Sequence, residues 1–512
     1  MNNIRQIIDK LGRFFSIPWY FIVFSVYPVL ALLATNIGQV KLGSGWRPLL
    51  VSVLLGGLLF LLAWLIVRDF YRAAFLSTLW MVLFFSYGHI YLMLLEKWEK
   101  VNFTPILLPV WLALAVLFSV WATRPRFTFR DAVLALNVVS LGLVVTSMVQ
   151  ISNGMEKGGG HFVAAKNAPV ETDLTLPPNP PDVYYFILDS YGRDDLLKQA
   201  YGYDNSGFLQ GLRDRGFYVA ECSQSNYVRT EISLGSSLNM MYLQDLDPAF
   251  NPQSTKRARL WDSLKHSATR YNFEDLGYKT INFATGFAWN ELEDADIFYT
   301  PDSISMGLTE FEVLFLRTTL ARYVDELGWL DPDQIMGQNF RDRTLNVFNR
   351  VDDIARMPEP TFAYIHLISP HPPFVFGPNG EAMYPPDFWN ENREYPADLY
   401  AKGYQNQLTF LNKKMLEVVD TILANSDTPP IIVLQGDHGP WLQTKEKRMW
   451  IFNAYYLPGH EDKLYPTITP VNTFRLIFDS YFGGKYEMLP DISYFSPVPK
   501  LYEFSEIPNR CK

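Results

Sequence analysis

This sequence of 512 residues contains few cysteines and has no excess of positively charged residues. Cys222 and Cys511 are its only cysteines, which excludes a disulfide framework or a metal cage of thiolates and leaves open one bridge in an oxidising compartment. The chain has 44 Lys and Arg residues against 53 Asp and Glu residues, and its formal net charge is −9. This balance provides no basic patch, so the composition argues against a nucleic-acid partner.

Charged side chains are also missing from five long apolar stretches near the N-terminus. Asp, Glu, Lys and Arg are absent from residues 14–40, 48–67, 73–95, 101–123 and 132–155. Each stretch reaches the roughly 20 residues that a helix needs to cross the hydrocarbon core of a membrane. A cleaved signal peptide is the alternative for the first stretch, but no small-residue cleavage pattern follows it. Residues 1–155 are therefore predicted to form a transmembrane domain of five helices.

The basic residues between these stretches predict an orientation. Eight fall on the side of the N-terminus, namely Arg5, Lys10, Arg13, Arg68, Arg72, Arg124, Arg126 and Arg130, and four fall on the other side, namely Lys41, Arg47, Lys97 and Lys100. Because the side richer in Lys and Arg faces the cytoplasm, we expect a multi-pass protein of the cytoplasmic (inner) membrane with a cytoplasmic N-terminus. Residues after 155 are then extracytoplasmic, or periplasmic. Within the five stretches His89 is the only ionisable residue of the Asp, Glu, Lys, Arg and His set, which makes a transporter a weak interpretation.

The remainder of the chain predicts a linker and a soluble domain. Residues 156–181 contain three consecutive glycines and, at 177–181, four prolines, and they are typical of a linker. In residues 182–512, the short apolar runs 183–188, 362–367 and 431–434 are typical of buried parallel strands. An amphipathic helix is predicted between the last two runs, over about 404–422. This alternation indicates an α/β domain with a central, largely parallel sheet, in which ligands bind beyond the carboxyl ends of the strands.

Three polar residues follow two of the predicted strands directly. Asp189 follows the first strand, and Asp437 and His438 follow the last one, with a glycine on each side of the pair. The carboxyl ends of parallel strands share one edge of a sheet, so these side chains are expected to converge. Oxygen and nitrogen ligands suit one divalent ion, Zn²⁺ or Mn²⁺. The alternative, an Asp that only caps a helix, is reasonable for either Asp alone but not for the Asp-His pair.

Four segments in this order resemble the landmarks of sulfatase-like enzymes of the alkaline phosphatase superfamily. They are PDVYYFILDS (181–190), SNYVRTEISLGSS (225–237), ISPHPPF (368–374) and GDHG (436–439). The resemblance extends over roughly residues 180–485. Lipoteichoic acid synthases and lipid A phosphoethanolamine transferases also have five membrane spans followed by such a domain.

The resemblance implies a set of site residues. In those enzymes a threonine some forty residues after the first acid is both the nucleophile and a metal ligand, which corresponds here to Thr230 beside Asp189, Asp437 and His438. His371 matches a histidine that faces the substrate or the leaving oxygen, and Arg229 and Asn226 are candidates for holding phosphate oxygens. Ser225 and Ser233 remain alternative nucleophiles from the sequence. His266, His366 and His460 belong to no motif and are assigned structural roles.

Departures from the sulfatase pattern narrow the function. No Cys/Ser-x-Pro-x-Arg motif occurs near Cys222, and Ser190 stands where sulfatases have a second acid, so a formylglycine sulfatase is disfavoured. The sequence therefore favours a phospho-group transferase with a membrane lipid as donor and an envelope lipid or glycan as acceptor. A hydrolase of phosphodiesters or sulfate esters is the alternative within the superfamily. A non-catalytic membrane sensor or scaffold is the alternative from another class.

Overall fold

The computed structural model describes residues 15–98, 101–124, 129–156, 169, 173–303, 307–383, 396–441, 443–509 and 511. Several sequence-based predictions lie outside these residues: the charges of Arg5, Lys10, Arg13, Lys100 and Arg126, and most of the linker. By its internal contacts the chain divides into two units. The first contains Met1–Glu156 and Leu308–Met336, and the second contains Lys157–Gly307 and Gly337–Lys512. The sequence predicts that residues 308–336 belong to the soluble domain, whereas their contacts group them with the membrane helices.

The described α-helices are α1 Tyr20–Asn36, α2 Trp46–Val67, α3 Phe70–Lys97, α4 Thr104–Ala122, α5 Val133–Glu156, α6 Asp194–Tyr201, α7 Ser206–Arg213, α8 Thr230–Ser237, α9 Leu243–Leu246, α10 Ala258–Lys265, α11 Ala268–Asp275, α12 Glu310–Arg317, α13 Tyr323–Glu326, α14 Pro332–Ala355, α15 Ala397–Asn425 and α16 Pro470–Tyr481. The described strands are β1 Val183–Leu188, β2 Tyr218–Val219, β3 Lys279–Phe283, β4 Ile297–Tyr299, β5 Thr361–Leu367, β6 Ile431–Gln435, β7 Asn453–Tyr456, β8 Ser493–Phe495 and β9 Ser505–Ile507.

Helices α1 to α5 form the apolar N-terminal bundle, which confirms the predicted five helices. Four of them are long and apolar enough to cross a membrane, and α1 is a shorter apolar helix of 17 residues. Small residues let the helices approach closely: Gly56 of α2 lies against Ser25 of α1, where a side chain on Gly56 would collide with the serine hydroxyl. Asn137 of α5 accepts a hydrogen bond from the backbone N–H of Tyr20 at 3.0 Å. These contacts give the bundle a specific packing in addition to its apolar character.

Residues Leu308–Met336, which we call the docking segment, pack onto the ends of three membrane helices. Glu312 forms a bidentate ion pair with Arg47 at the start of α2, with N–O distances of 2.6 and 2.8 Å. Gly88 of α3 lies directly beneath the backbone of residues 317–319, where a Cβ atom has no room. The Arg322 guanidinium lies 3.4 Å from the ring centroid of Tyr91, near the end of α3. Glu326 accepts a hydrogen bond from the Thr104 hydroxyl at the start of α4.

The second unit is built on a seven-stranded sheet with the order β2-β7-β6-β1-β5-β3-β4. Strands β6, β1, β5, β3 and β4 are parallel, and β7 is antiparallel to both of its neighbours. This confirms the prediction of an α/β domain with a largely parallel sheet. Both faces of the sheet are covered, because alternate residues of β1 belong to two separate apolar clusters. The fully buried β1 is consequently apolar at every position, as a central parallel strand should be.

The strand register brings the three predicted metal ligands to one edge of the sheet. Ile187 pairs with His366 of β5 on one side and with Gln435 of β6 on the other. Asp189 and Asp437 therefore each lie two residues beyond a paired position, at the carboxyl ends of neighbouring strands. In the same unit Cys222 and Cys511 form a disulfide with a Cα–Cα distance of 5.4 Å, the bridge that the sequence had left open.

Candidate metal centre and nucleophile

Asp189, Asp437 and His438 lie together in the second unit. Each offers one ligand atom, and these atoms are all within 4.8 Å of one another. All three residues are buried, with exposed fractions of 5%, 0% and 4%. A cluster of two carboxylates and an imidazole removed from water is costly unless positive charge compensates it.

The two oxygens of Asp437 differ in their surroundings. Oδ1 accepts the backbone N–H of Ser190 at 2.9 Å, and Ser190 adopts a left-handed backbone conformation with φ of 62°. Oδ2 is buried and has no hydrogen-bond donor among the described residues. Buried carboxylate oxygens nearly always have a hydrogen-bond donor or a cation as partner. The absence of a donor to Oδ2 in the described part of the chain therefore indicates that this oxygen binds a cation. The oxygen and nitrogen donors fit one divalent ion of the kind the sequence predicts.

The histidine is held in the tautomer that a metal site requires. Its Nδ1 lies 2.8 Å from the carbonyl oxygen of Gly439, which places the ring proton on Nδ1 and leaves the lone pair on Nε2. Nε2 lies 3.5 Å from Oδ2 of Asp437 and 3.9 Å from Oδ1 of Asp189. The lone pair therefore belongs to the atom that faces both carboxylates.

The glycines of the GDHG segment have a steric role. A Cβ atom on Gly436 would lie 2.5 Å from the carbonyl oxygen of Tyr191, and one on Gly439 would lie 2.8 Å from that of Lys447. The backbone N–H of Gly439 also donates to the carbonyl of Arg448 at 2.7 Å. Any larger residue would force these backbones apart and displace the Asp-His pair between the glycines.

Thr230 is the first residue of α8, beside the cluster. Its Oγ1 lies 3.2 Å from Nε2 of His438. Arg229 occupies the N-cap position, and its side chain makes no capping hydrogen bond, so the first backbone N–H groups of the helix and its dipole favour an anion at this end. The alternative nucleophiles are buried and engaged: Ser233 donates to the carbonyl of Asp437 at 2.8 Å, and Ser225 contacts the sulfur of Met449 at 3.5 Å.

Asp189 is surrounded by histidines. Burial by itself raises the pKa of its carboxyl, but the imidazoles of His371, His366 and His438 favour the ionised form more strongly and lower the pKa to about 2. The backbone N–H of His371 donates to the carbonyl of Asp189 at 3.0 Å, which fixes the segment after β5 against the end of β1. Nδ1 of His371 lies 2.5 Å from the carbonyl of Pro372, so its Nε2 is the nitrogen available to a substrate.

His366 is a site residue that the sequence analysis assigned to a structural role. Its Nε2 lies 3.3 Å from Oδ2 of Asp189, and its exposed fraction is 3%. Nδ1 contacts the amide nitrogen of Asn290, whose amide oxygen accepts the Thr285 hydroxyl at 2.8 Å. Because the amide nitrogen of Asn290 can only donate, Nδ1 of His366 is the acceptor. The ring proton is therefore on Nε2, the nitrogen that faces the carboxylate. His366 pairs with Ile187, two residues before Asp189, and the sequence carries no signal of this pairing.

Two arginines lie beside Thr230, and the sequence analysis identified only one of them. Arg448 donates from Nη2 to the carbonyl of Val228 at 2.9 Å. Burial, followed by the charge of Arg229, lowers the pKa of the Arg448 guanidinium to about 10. Burial also lowers the pKa of Arg229. Both groups stay protonated at neutral pH despite this.

The side chain of Asn226 is hydrogen-bonded to the backbone of two distant segments. Its amide nitrogen donates to the carbonyl of Ile492 at 2.9 Å, and its amide oxygen accepts the backbone N–H of Val471 at 2.8 Å. The residue is fully buried, and the structure does not bring its side chain into the cluster of Thr230 and the acids. A role in substrate binding stays a prediction.

The comparisons with known proteins give matches only among solved structures. No family model and no curated protein matches the chain. The C-terminal periplasmic domain of EptC from Escherichia coli, in complex with Zn, matches with 13% identity over 65% of this chain and 96% of that one, at a TM-score of 0.42. The integral membrane lipooligosaccharide phosphoethanolamine transferase A from Neisseria meningitidis matches with 12% identity over 90% of this chain and 95% of that one, at 0.40.

The lipoteichoic acid synthase LtaP from Listeria monocytogenes matches with 14% identity over 60% of this chain and 76% of that one, at a TM-score of 0.36. Both kinds of enzyme that the sequence motifs resemble thus occur among these structures. At such identities and TM-scores the matches assign neither a family nor a reaction, and the function has to be argued from the residues of the site.

Proposed function

We propose that this protein is a membrane-bound, metal-dependent phospho-group transferase that uses Thr230 as its nucleophile. The observation that supports the proposal most strongly is the position of the Thr230 hydroxyl, 3.2 Å from Nε2 of His438 at the start of a helix. The same imidazole faces the unsatisfied Oδ2 of Asp437 at 3.5 Å. The proximity of a hydroxyl, a helix N-terminus and a set of potential metal ligands supports the proposal.

Asp189, Asp437, His438 and Thr230 would hold the ion, Zn²⁺ or Mn²⁺. A divalent cation in such a site favours loss of the proton from a neighbouring hydroxyl and stabilises negative charge on a phosphate oxygen. Ser190 orients Asp437 through its backbone N–H, and His366 faces Asp189. These contacts fix the carboxylates before any substrate arrives.

The chain's own residues account for a two-step transfer. The Thr230 hydroxyl loses its proton to solvent, and its oxygen forms a bond to phosphorus while the bond from phosphorus to the donor's alcohol oxygen breaks. His371, protonated at Nε2, donates a proton to that leaving oxygen. In the second step His371 takes a proton from the acceptor alcohol, whose oxygen attacks the phosphothreonine, and the bond from phosphorus to the Thr230 oxygen breaks as that oxygen regains a proton from solvent. Arg229, next to the nucleophile, would hold non-bridging phosphate oxygens throughout.

Three observations support an extracytoplasmic site. The loop charges favour a cytoplasmic N-terminus, and five crossings would then place residue 156 outside. The docking segment packs on the starts of α2 and α4 and the end of α3, which are the outward ends in that topology. A disulfide between Cys222 and Cys511 persists in an oxidising compartment. Outside the cytoplasm there is no ATP, so a membrane lipid is the natural donor and an envelope lipid or glycan the natural acceptor.

The test is a phosphothreonine trap in the full-length protein. Membranes from cells grown with radioactive phosphate supply labelled lipids, and the expected result is label on the peptide that contains Thr230. Thr230→Ala should abolish both this label and the transfer of label to other envelope components. Thr230→Ser should retain part of both, because the hydroxyl survives, and Ser225→Ala serves as the control that remains active. Turnover that persists in Thr230→Ala would refute the proposed nucleophile, and label released only as a water-soluble product would favour the hydrolase.

A further inference from the structure

The surroundings of Arg448 are unusual for a half-buried arginine whose Nε atom is shielded from solvent. In the described part of the chain no carboxylate lies within ion-pair distance of Arg448 or Arg229. Nε of Arg448 and Nη2 of Arg229 are buried and donate to no acceptor among the described residues. Guanidinium groups taken out of water normally find a carboxylate or a full set of acceptors. Here two of them lie close enough for the charge of one to lower the pKa of the other.

Nearby carboxylates are committed to other partners. Glu231, the acid closest in sequence to Arg229, forms an ion pair with Arg257 at 3.2 Å and accepts the indole N–H of Trp261 at 3.0 Å. Asp437 acts on Arg448 through its charge only, while its own contacts belong to the metal cluster. The fold therefore holds two positive charges together without neutralising them, at a cost that an anionic ligand would offset.

Arg448 is held in a fixed position relative to Thr230. Its Nη2 donates to the carbonyl of Val228, two residues before the nucleophile. The indole of Trp441 packs against its guanidinium, with 4.2 Å between the carbon of the group and the ring centroid. Stacking on an aromatic face restricts a guanidinium to one plane. Its backbone carbonyl accepts the N–H of Gly439 at 2.7 Å, so Arg448 is hydrogen-bonded to the residues two positions before Thr230 and one position after His438.

The charges of the side chains around Thr230 indicate which kind of ligand the site binds. Asp189 and Asp437 contribute two negative charges, and Arg229 and Arg448 contribute two positive charges, which cancel. For these four side chains alone, a bound divalent ion then leaves an excess of two positive charges. A phosphate group, with one or two negative charges and several acceptor oxygens, compensates this excess and satisfies the free N–H groups.

We propose that Arg448 is a substrate-binding residue and that Arg448 and Arg229 together clamp the non-bridging oxygens of the substrate's phosphate. The proposal rests on the proposed function, because it concerns the phosphate that Thr230 receives. Trp441 acts as a positioning residue that keeps the Arg448 guanidinium flat beside the nucleophile. Arg448 belongs to none of the sequence motifs.

The experiment measures binding of inorganic phosphate to the full-length, zinc-loaded protein by calorimetry. Arg448→Gln removes the charge and is expected to weaken phosphate binding by roughly 10- to 100-fold, as for the loss of a charge-assisted hydrogen bond. Arg448→Lys keeps one charge and a donor to Val228 and should retain an intermediate affinity. Arg350→Gln is the matched control, because Arg350 is an exposed arginine paired with Asp353 at 3.1 Å, and it should bind phosphate as the parent does.

Zinc affinity, measured on the same samples, separates a clamp from a merely structural arginine. The clamp predicts unchanged zinc affinity together with weakened phosphate binding, whereas displacement of the Val228–Thr230 backbone would weaken both. Restoration of phosphate binding to Arg448→Gln by added methylguanidinium would support the clamp. If Arg448→Gln is insoluble, Arg448→Lys and Trp441→Leu carry the test. Phosphate affinity equal to that of the parent in the folded, zinc-loaded variants would overturn the proposal.

The same measurements distinguish failure of the clamp from failure of the proposed function. Phosphate binding is repeated in a Thr230→Ala background, where no covalent step can occur. Dependence on Arg448 in that background supports the clamp even if Thr230 proves not to be the nucleophile. An active Thr230 with no dependence of phosphate binding on Arg448 would instead refute the clamp alone.

Discussion

Replacement of His366 tests whether a residue outside every motif controls the metal site. His366→Phe keeps an aromatic ring in the strand but removes both nitrogens, so Asp189 loses the imidazole that lies 3.3 Å from its Oδ2. Loss of such an outer partner of a metal ligand typically reduces metal affinity by about 10- to 100-fold, or about 1.4–2.8 kcal/mol. The change also leaves the buried amide nitrogen of Asn290 without an acceptor, which costs about 1–3 kcal/mol of folding stability.

These two effects are separable because they act on different quantities. Loss of His366 removes one of the interactions that lower the pKa of Asp189 from its usual value to about 2, so the pKa rises. The imidazoles of His371 and His438 still favour the ionised form of Asp189 in the variant. Reduced zinc affinity at neutral pH would therefore come from lost orientation of Asp189 and not from its protonation.

The assay is competition for zinc with a chromophoric chelator, on the full-length protein in detergent at neutral pH. His366→Gln retains a donor and should recover part of the affinity, and Asp437→Asn, which alters a proposed ligand, marks the largest expected loss. His460→Gln is the matched control, because His460 packs on Tyr481 with 4.6 Å between ring centroids. If His366→Phe binds zinc as tightly as His460→Gln while Asp437→Asn does not, the reasoning about His366 is wrong.

The remaining predictions concern the membrane unit. Arg47→Ala leaves the carboxylate of Glu312, with a side-chain exposed fraction of 7%, without its cation, and thermal unfolding in detergent should show a loss of about 2–3 kcal/mol. Arg47→Ala combined with Glu312→Gln should lose less than Arg47→Ala alone, and equal or greater loss would contradict a buried ion pair. A reporter fused after residue 160 should be active only outside the cytoplasm, and cytoplasmic activity would reverse the proposed topology.

The parts of the fold that the sequence predicts are those with a strong local signal. Strand β1 is apolar on both faces and is followed at once by Asp189, so both its burial and the position of the acid can be predicted. The pair of Asp437 and His438 is likewise tied to the end of β6. Convergence of these three residues needs only the rule that parallel strands end at one edge.

The parts of the fold and of the site that the sequence does not predict depend on contacts between segments far apart in the chain. His366 lies within β5, and only the register of β5 against β1 brings it to Asp189. Arg448 lies in the short 3-10 helix Lys447–Met449, which reaches the site because the backbone of Arg448 is hydrogen-bonded to that of Gly439. In the docking segment, the apolar spacing of Phe311, Leu314 and Phe315 indicates an amphipathic helix, but periodicity does not tell whether its partner is a sheet or a membrane helix.

The docking segment has a practical consequence for any attempt to isolate the α/β unit. A fragment cut after residue 156 would carry the segment without the membrane helices. Phe311 and Phe315, with exposed fractions of 1% and 7% in the whole protein, would face water beside an unpaired Glu312. Such a patch promotes self-association, so the fragment should aggregate unless detergent covers it. Replacing residues 308–336 by a short glycine-serine linker between Gly307 and Gly337 would remove the apolar helix and leave every strand of the sheet in place.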